Sequence, residues 1–209
     1  MNKSLFDEFV KIYGGNTEGI RVFESPGRVN LIGEHIDYNG GHVLPVALTM
    51  ATTVLVRKRN DRTIRLYATD LKYVVEANLD RLELFKDYKW GNYQLGVAWQ
   101  LMAEGYDVPG CEMLFEDKVP LGSGLSSSAA IEVATALALN RLGGYETGME
   151  ELAVISQKAE HNYVGVNCGI MDQFAIGMGK KDHAILLNCD TLDYKYLPLY
   201  LDGISIVIT

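Results

Sequence analysis

Short apolar runs separated by glycine, proline and polar clusters fill residues 20–80, and longer helical stretches follow. "IRVFESPGRVNLIGEH" has strand composition broken at Pro26-Gly27 and Gly33. "GHVLPVAL", "TTVLVRKR", "TIRLYATD" and "YVVEANLD" predict four more short strands. A first helix over 5–13 is expected, with Ser4 as its cap and Gly14-Gly15 as its stop. A second spans 91–105 and ends at Gly105. "CEMLFEDKVP" predicts a strand leading into a glycine-rich loop, then an alanine-rich helix over 127–142 closed by Gly143-Gly144. Thr147 and Glu150 read as a capping box for a helix over 148–162. The tail, "HAILLNC", "LDYKYLPL" and "GISIVIT", predicts strands. Strands and helices mix without regular β-α alternation, so the expected fold class is α+β. The last predicted strand has no turn or cap after it, as expected for a sequence that continues.

The 209 residues are 48% hydrophobic and 22% charged, enough for one large domain or two small ones with a sizeable core. A net charge of −8 argues against nucleic acid as the main partner. No apolar run of about 18 residues predicts a membrane span, and the start "MNKSLFDEFV" carries acids where a signal peptide needs an apolar stretch. Cys111, Cys168 and Cys189 are odd in number with no C-x-x-C spacing. They read as reduced thiols of a cytoplasmic protein, with a zinc site the lesser alternative.

The loop "PLGSGLSSSAA" at 120–130 is the first candidate for chemistry. It has no lysine after its last glycine, so it is not the nucleotide loop that ends in Gly-Lys-Ser/Thr. Ser127 stands where the dinucleotide fingerprint needs Gly or Ala, and Leu121 breaks a serine-hydrolase elbow at Ser123. Gly122, Ser123 and Gly124 let backbone wrap closely around an anion. Ser126, Ser127 and Ser128 at a helix start offer hydroxyls beside free N–H groups. Phosphate binding and an ordinary serine N-cap are both compatible with this pattern.

Two further stretches carry clustered polar groups. In "GRVNLIGEHIDYNGG", Arg28 precedes Glu34, His35 and Asp37 on a turn. Acceptors and donors so close suit a polyol, a hard metal ion or a solvated turn paired with Arg28. In "GVNCGIMDQFAIGMG", Asp172 precedes an apolar run, where partial desolvation would tune it for proton work and a helix cap is the plain alternative.

Taken together these stretches resemble the GHMP kinases, a family named for galactokinase, homoserine kinase, mevalonate kinase and phosphomevalonate kinase. The loop resembles the family's ATP motif, which implies phosphate contacts from Gly122, Ser123, Gly124, Leu125, Ser126, Ser127 and Ser128. "GRVNLIGEHIDYN" resembles the signature of the galactokinase branch, with Ile36 where many members have Thr. That implies sugar contacts from Glu34, His35 and Asp37 and a catalytic role for Arg28. "CGIMDQ" resembles the branch's catalytic stretch, implying Asp172 as the catalytic residue, as proton acceptor or as positioner of the hydroxyl, and Gly169 at the sugar. "SQKAEHN" resembles the helix that supplies a magnesium-binding glutamate, here Glu160, alongside Ser128. The resemblance therefore implies ATP, magnesium and galactose as ligands, and galactose 1-phosphate as product. An N-acetylgalactosamine kinase and a sugar-sensing regulator are the alternatives on the same scaffold. It implies a GHMP N-terminal domain, ribosomal protein S5 domain 2-like, over 1–209. The galactose signature would lie within about 19–50 and the ATP-loop region within about 111–180. A second domain, with a third glycine motif and a sugar-contacting tyrosine, has no counterpart in the sequence. A lone first domain would be expected to self-associate.

Overall fold

The computed structural model describes residues 3–86, 89–120, 122–204 and 206–207. Helix α1 (Lys3–Tyr13) starts one residue before Ser4, which lies inside its first turn rather than at its cap. It is followed by strands β1 (Arg21–Asn30), β2 (His42–Val43), β3 (Pro45–Lys58), β4 (Thr63–Ala68) and β5 (Tyr73–Asn78). Helix α2 (Asn92–Ala103) leads to β6 (Cys111–Asp117), and the glycine-rich loop then opens α3 (Ser127–Leu142). Helix α4 (Met149–Ala159) runs into a π-helical turn, Glu160–Val164. Helix α5 (Met171–Gly177), β7 (His183–Asn188) and β8 (Tyr194–Pro198) complete the order.

Five strands form a sheet in the order β1-β3-β6-β4-β5, antiparallel except where β4 runs parallel to β6. Alternate residues of its inner strands serve two faces, as the period of two requires. Val54, Val56, Ile64, Leu66, Met113 and Phe115 face α2, α3 and α4. Leu55, Tyr67 and Leu114 face Leu5 and Phe9 of α1. Covered on both sides, these strands read as continuous apolar runs. A smaller sheet, β2-β7-β8, packs Val43, Ile185 and Leu187 against Ile170, Met171 and Phe174 around α5. The α+β class expected from the sequence is the class observed.

Several local expectations are corrected. "GHVLPVAL" and "TTVLVRKR" are chiefly one strand, β3, because it pairs with β1 along both halves. The capping box at Thr147 does not form: Gly148 occupies the cap position of α4 without a side-chain bond. Thr147 Oγ1 instead accepts from Asn140 (2.7 Å) and donates to the Tyr106 hydroxyl (3.1 Å). The helix expected over 148–162 changes period at Glu160. Of "GISIVIT", Ser205, Ile208 and Thr209 lie outside the described residues, and the described remainder is not strand.

Candidate active site

Arg28 stands just past a bulge in β1, where the register with β3 shifts between Pro26 and Arg28. A Cβ on the intervening Gly27 would lie 2.9 Å from the Leu125 carbonyl oxygen and 3.0 Å from Val119, so glycine lets the strand approach the loop. The Arg28 amide donates to that carbonyl at 3.1 Å. The Arg28 guanidinium then reaches both ways. Its Nε and Nη2 each lie 2.7 Å from Asp172 Oδ1, and its Nη1 donates to the Gly124 carbonyl at 2.5 Å. Asp172 Oδ2 accepts from the Ser126 hydroxyl at 2.5 Å. Asp172 is thus the second residue of α5, with Ile170 at the cap position, and its carboxylate is turned to Arg28 and the loop rather than used as a cap.

Three of the loop's serines, Ser123, Ser126 and Ser127, are already hydrogen-bonded within the protein. Ser126 adopts a left-handed backbone (φ 60°) at the start of α3 and makes no side-chain cap. Such a conformation in a non-glycine residue persists only where its surroundings hold it, and here its hydroxyl is bound by Asp172. Ser127 donates to Asp117 Oδ2. Asp117 Oδ1 in turn accepts from Thr52 Oγ1 and from the Val119 amide, both at 2.9 Å. Ser123 donates to the Pro120 carbonyl at 2.6 Å. Leu125 turns its side chain into a core cluster with Val119, Ala129 and Val133, because burial holds an apolar chain more strongly than a phosphate would.

Gly122, Gly124, Ser126, Ser127 and Ser128 line one end of a cavity of about 590 Å³, with Arg28 and Asp172 beside them. Leu71, Trp90, Tyr93, Phe115 and Ile131 form its apolar end. Ser123 and Leu125 do not line it. Trp90, Tyr93, Asp117 and the wholly buried Gln94, whose amide has no hydrogen-bond partner among the described residues, are cavity residues that sequence reasoning missed. Three of these four come from α2 and the turn before it, about 30 residues from the loop, and no local motif marks them.

The expected sugar turn lies apart from this cavity. Asp37 and Gly169 line a second cavity of about 600 Å³ with Tyr38, His161, Cys168 and Asp190. The two residues are in close apposition, since a Cβ on Gly169 would fall 2.0 Å from Asp37 Oδ2. Glu34 accepts from Asn30 Nδ2 at 2.9 Å, and His35 Nδ1 lies 3.1 Å from the Tyr38 hydroxyl. Neither lines either cavity. The three side chains of the turn have different partners, and Arg28 pairs with Asp172, not with Glu34 or Asp37.

Glu160 is 7% exposed, and its Oε2 accepts from Gln173 Nε2 at 2.8 Å and from the Cys168 thiol at 3.1 Å. Burial pushes its carboxyl up, the bonds from Cys168 and Gln173 pull it down, and nearby Asp172 pushes it up again. Burial also drives Glu132 well above the ordinary carboxylate range, with Glu160 and Asp172 adding to the rise. Glu132 and Glu160 share Gln173 and both feel the nearby charge of Asp172, while Ser128 lines the cavity. Carboxylate and hydroxyl oxygens are the donors that a hard divalent cation takes. Among the described residues no group of three or more His, Cys, Asp and Glu stands ready to hold a metal unaided. Magnesium fits that condition, since it keeps waters and uses phosphate oxygens. No helix among the described residues is long and apolar enough to cross a membrane.

A glycine-serine loop entering a helix beside a mixed sheet is the arrangement of the GHMP kinases. The family model described as "GHMP kinases N terminal domain" matches residues 92–180, and "Galactokinase galactose-binding signature" matches residues 7–58. A solved structure of Methanococcus jannaschii mevalonate kinase shares the fold at a TM-score of 0.71 and 21% identity, covering 89% of this chain and 58% of that one. The fold is a GHMP kinase N-terminal domain. Galactokinase of Bacillus subtilis (strain 168) is 48% identical over 100% of this chain and 54% of its own length. The structure of Lactococcus lactis galactokinase complexed with galactose superposes at a TM-score of 0.87 with 42% identity, over 95% of this chain and 52% of that one. The chain belongs to the galactokinase family and spans about half the length of the curated relatives it matches.

Proposed function

We propose that this chain is the N-terminal half of a kinase that transfers the γ-phosphoryl group of ATP to the C1 hydroxyl of α-D-galactose. The observation that carries the reading is the Asp172 carboxylate, held by Arg28 and Ser126 at the wall of the glycine-loop cavity. Phosphoryl transfer depends chiefly on positioning and charge neutralisation, and each part has a residue here. The apolar end of the cavity suits an adenine ring, and the glycine-serine end suits the triphosphate. Asp37 and Gly169 would meet the sugar, with Glu34 and His35 completing the turn. Asp172, fixed at both oxygens, would accept the C1 proton or orient the hydroxyl. Arg28 would keep Asp172 ionised and offset charge on the transferred group. Ser128 and Glu160 would hold magnesium, which when bound neutralises phosphate charge.

The part of the relatives' length that this chain does not span would supply the other wall of the cleft. A reaction that consumes ATP belongs with the cytoplasmic ATP pool, which supports a cytoplasmic location. A coupled assay on protein spanning the relatives' full length tests the reading, with galactose, N-acetylgalactosamine and mevalonate offered in parallel. Galactose is expected to be the preferred acceptor, and Asp172→Asn is expected to lower kcat by at least 100-fold while leaving the melting temperature near wild type. Preference for another acceptor, or near-normal turnover in the folded variant, overturns the assignment.

A further inference from the structure

Gln173 follows Asp172 directly in α5, so the two side chains leave the helix about 100° apart. Asp172 lines the cavity, whereas Gln173 is wholly buried among carboxylates. Its Nε2 donates to Glu160 Oε2 at 2.8 Å and to Glu132 Oε2 at 2.9 Å. An amide nitrogen carries two hydrogens, so both are used, and the two acceptor oxygens lie within about 6 Å of each other. The Cys168 thiol donates to the same Glu160 oxygen at 3.1 Å. One oxygen of Glu160 is therefore gripped by two donors, while Oε1 takes no hydrogen bond among the described residues. Glu132 is 0% exposed, and its Oε1 has no hydrogen-bond partner among the described residues.

Two acids sharing one donor in the interior are a poor way to fill space, because each loses hydration and each opposes the other's charge. Apolar side chains would fill that volume at less cost. We infer that Gln173 is a positioning residue for metal binding: braced on Glu132, it pins one oxygen of Glu160 and keeps the other available to magnesium. This rests on the reading of Glu160 as a magnesium ligand. Hydrogen bonds of this kind orient metal ligands, and their loss typically weakens metal affinity 10- to 100-fold. The arrangement also ties two tasks to one short helix. Adjacent residues of α5 fix the acid beside the reacting hydroxyl and the acid beside the metal.

The test is Mn²⁺ binding followed by electron paramagnetic resonance, with a non-hydrolysable ATP analogue present, on protein spanning the relatives' full length. Galactose KM and melting temperature are measured alongside. Glu160→Gln examines the underlying reading first: unchanged Mn²⁺ affinity means Glu160 is no ligand, and the metal site itself falls. With Glu160→Gln impaired, Gln173→Met, close in shape but without a donor, is expected to weaken Mn²⁺ binding about tenfold or more at unchanged galactose KM. Mn²⁺ affinity equal to wild type in folded Gln173→Met overturns the positioning role. If Gln173→Met does not fold, Gln173→Asn, which keeps the amide but shortens its reach to Glu160, carries the test, and Mn²⁺ affinity equal to wild type in that variant overturns the proposal.

Discussion

Asp172 is held at both oxygens, by a guanidinium on one and a hydroxyl on the other, and neither grip comes from its own helix. A carboxylate so fixed cannot swing away when a substrate arrives. The same economy of space governs Gly169, where any Cβ would collide with Asp37. Gly169→Ala is therefore expected to displace the Asp37 carboxylate and raise galactose KM at least tenfold, since a lost buried polar contact costs about 1–3 kcal/mol. An unchanged KM in steady-state kinetics would mean that Asp37 is structural. Glu132 offers a second measurement at this scale. Burial raises its pKa in the folded chain, so above the ordinary carboxylate pKa, near ~4.3, the folded state keeps a proton that the unfolded state has released. Stability from this group is then greatest at the acid end of that window and declines as pH rises through it. In metal-free protein, Glu132→Gln should raise the melting temperature at neutral pH and lose that advantage toward pH 4. A melting temperature that varies with pH as in wild type would count against a buried protonated acid.

At the scale of elements, legibility followed how local the causes were. Helix α3 was readable to the residue because its start is set by the adjacent loop and its stop by Gly143-Gly144. Its lone acid, Glu132, went unremarked in the sequence, and only folding brings Gln173 to it. Arg28 and Asp172 were singled out through motif resemblance, and only folding supplies the contact between them, because 144 positions of sequence separate the two residues. The capping box at Thr147 failed for a similar reason. Its hydroxyl found better partners in Asn140 and Tyr106, which neighbouring sequence does not announce. A double-mutant cycle of Thr147→Val with Tyr106→Phe should therefore give a coupling of about 0.5–1 kcal/mol in denaturant unfolding. Additive effects would argue that the contact contributes nothing.

For the whole molecule, folding brings three separate sequence stretches to one cavity: Arg28 of β1, the glycine-serine loop and Asp172 of α5. The chain after β8 leaves Tyr200, Ile204 and Val207 exposed, an apolar strip of the kind that drives association. Residues 1–209 alone are expected to sediment as a mixture of monomer and larger species, and Ile204→Glu with Val207→Glu should shift the mixture toward monomer. A concentration-independent monomer in the parent chain would contradict this. The same chain is expected to bind ATP weakly by calorimetry and to phosphorylate galactose at a small fraction of the full-length rate, since half a cleft leaves the reacting groups wet. Turnover comparable with full-length protein would show that one wall suffices.

The Arg28–Asp172 pair spans 144 positions of sequence. A growing polypeptide emerges at about 5–20 residues per second, so Arg28 waits roughly 7 to 30 s on the ribosome before Asp172 has been made. The guanidinium has no Asp172 to pair with in that interval, and Ser126 of the loop it anchors lacks its carboxylate acceptor. The cavity wall is thus completed late in biogenesis. Slow synthesis or chaperone delay would prolong a species whose five-stranded sheet is already made but whose Arg28 is unpaired.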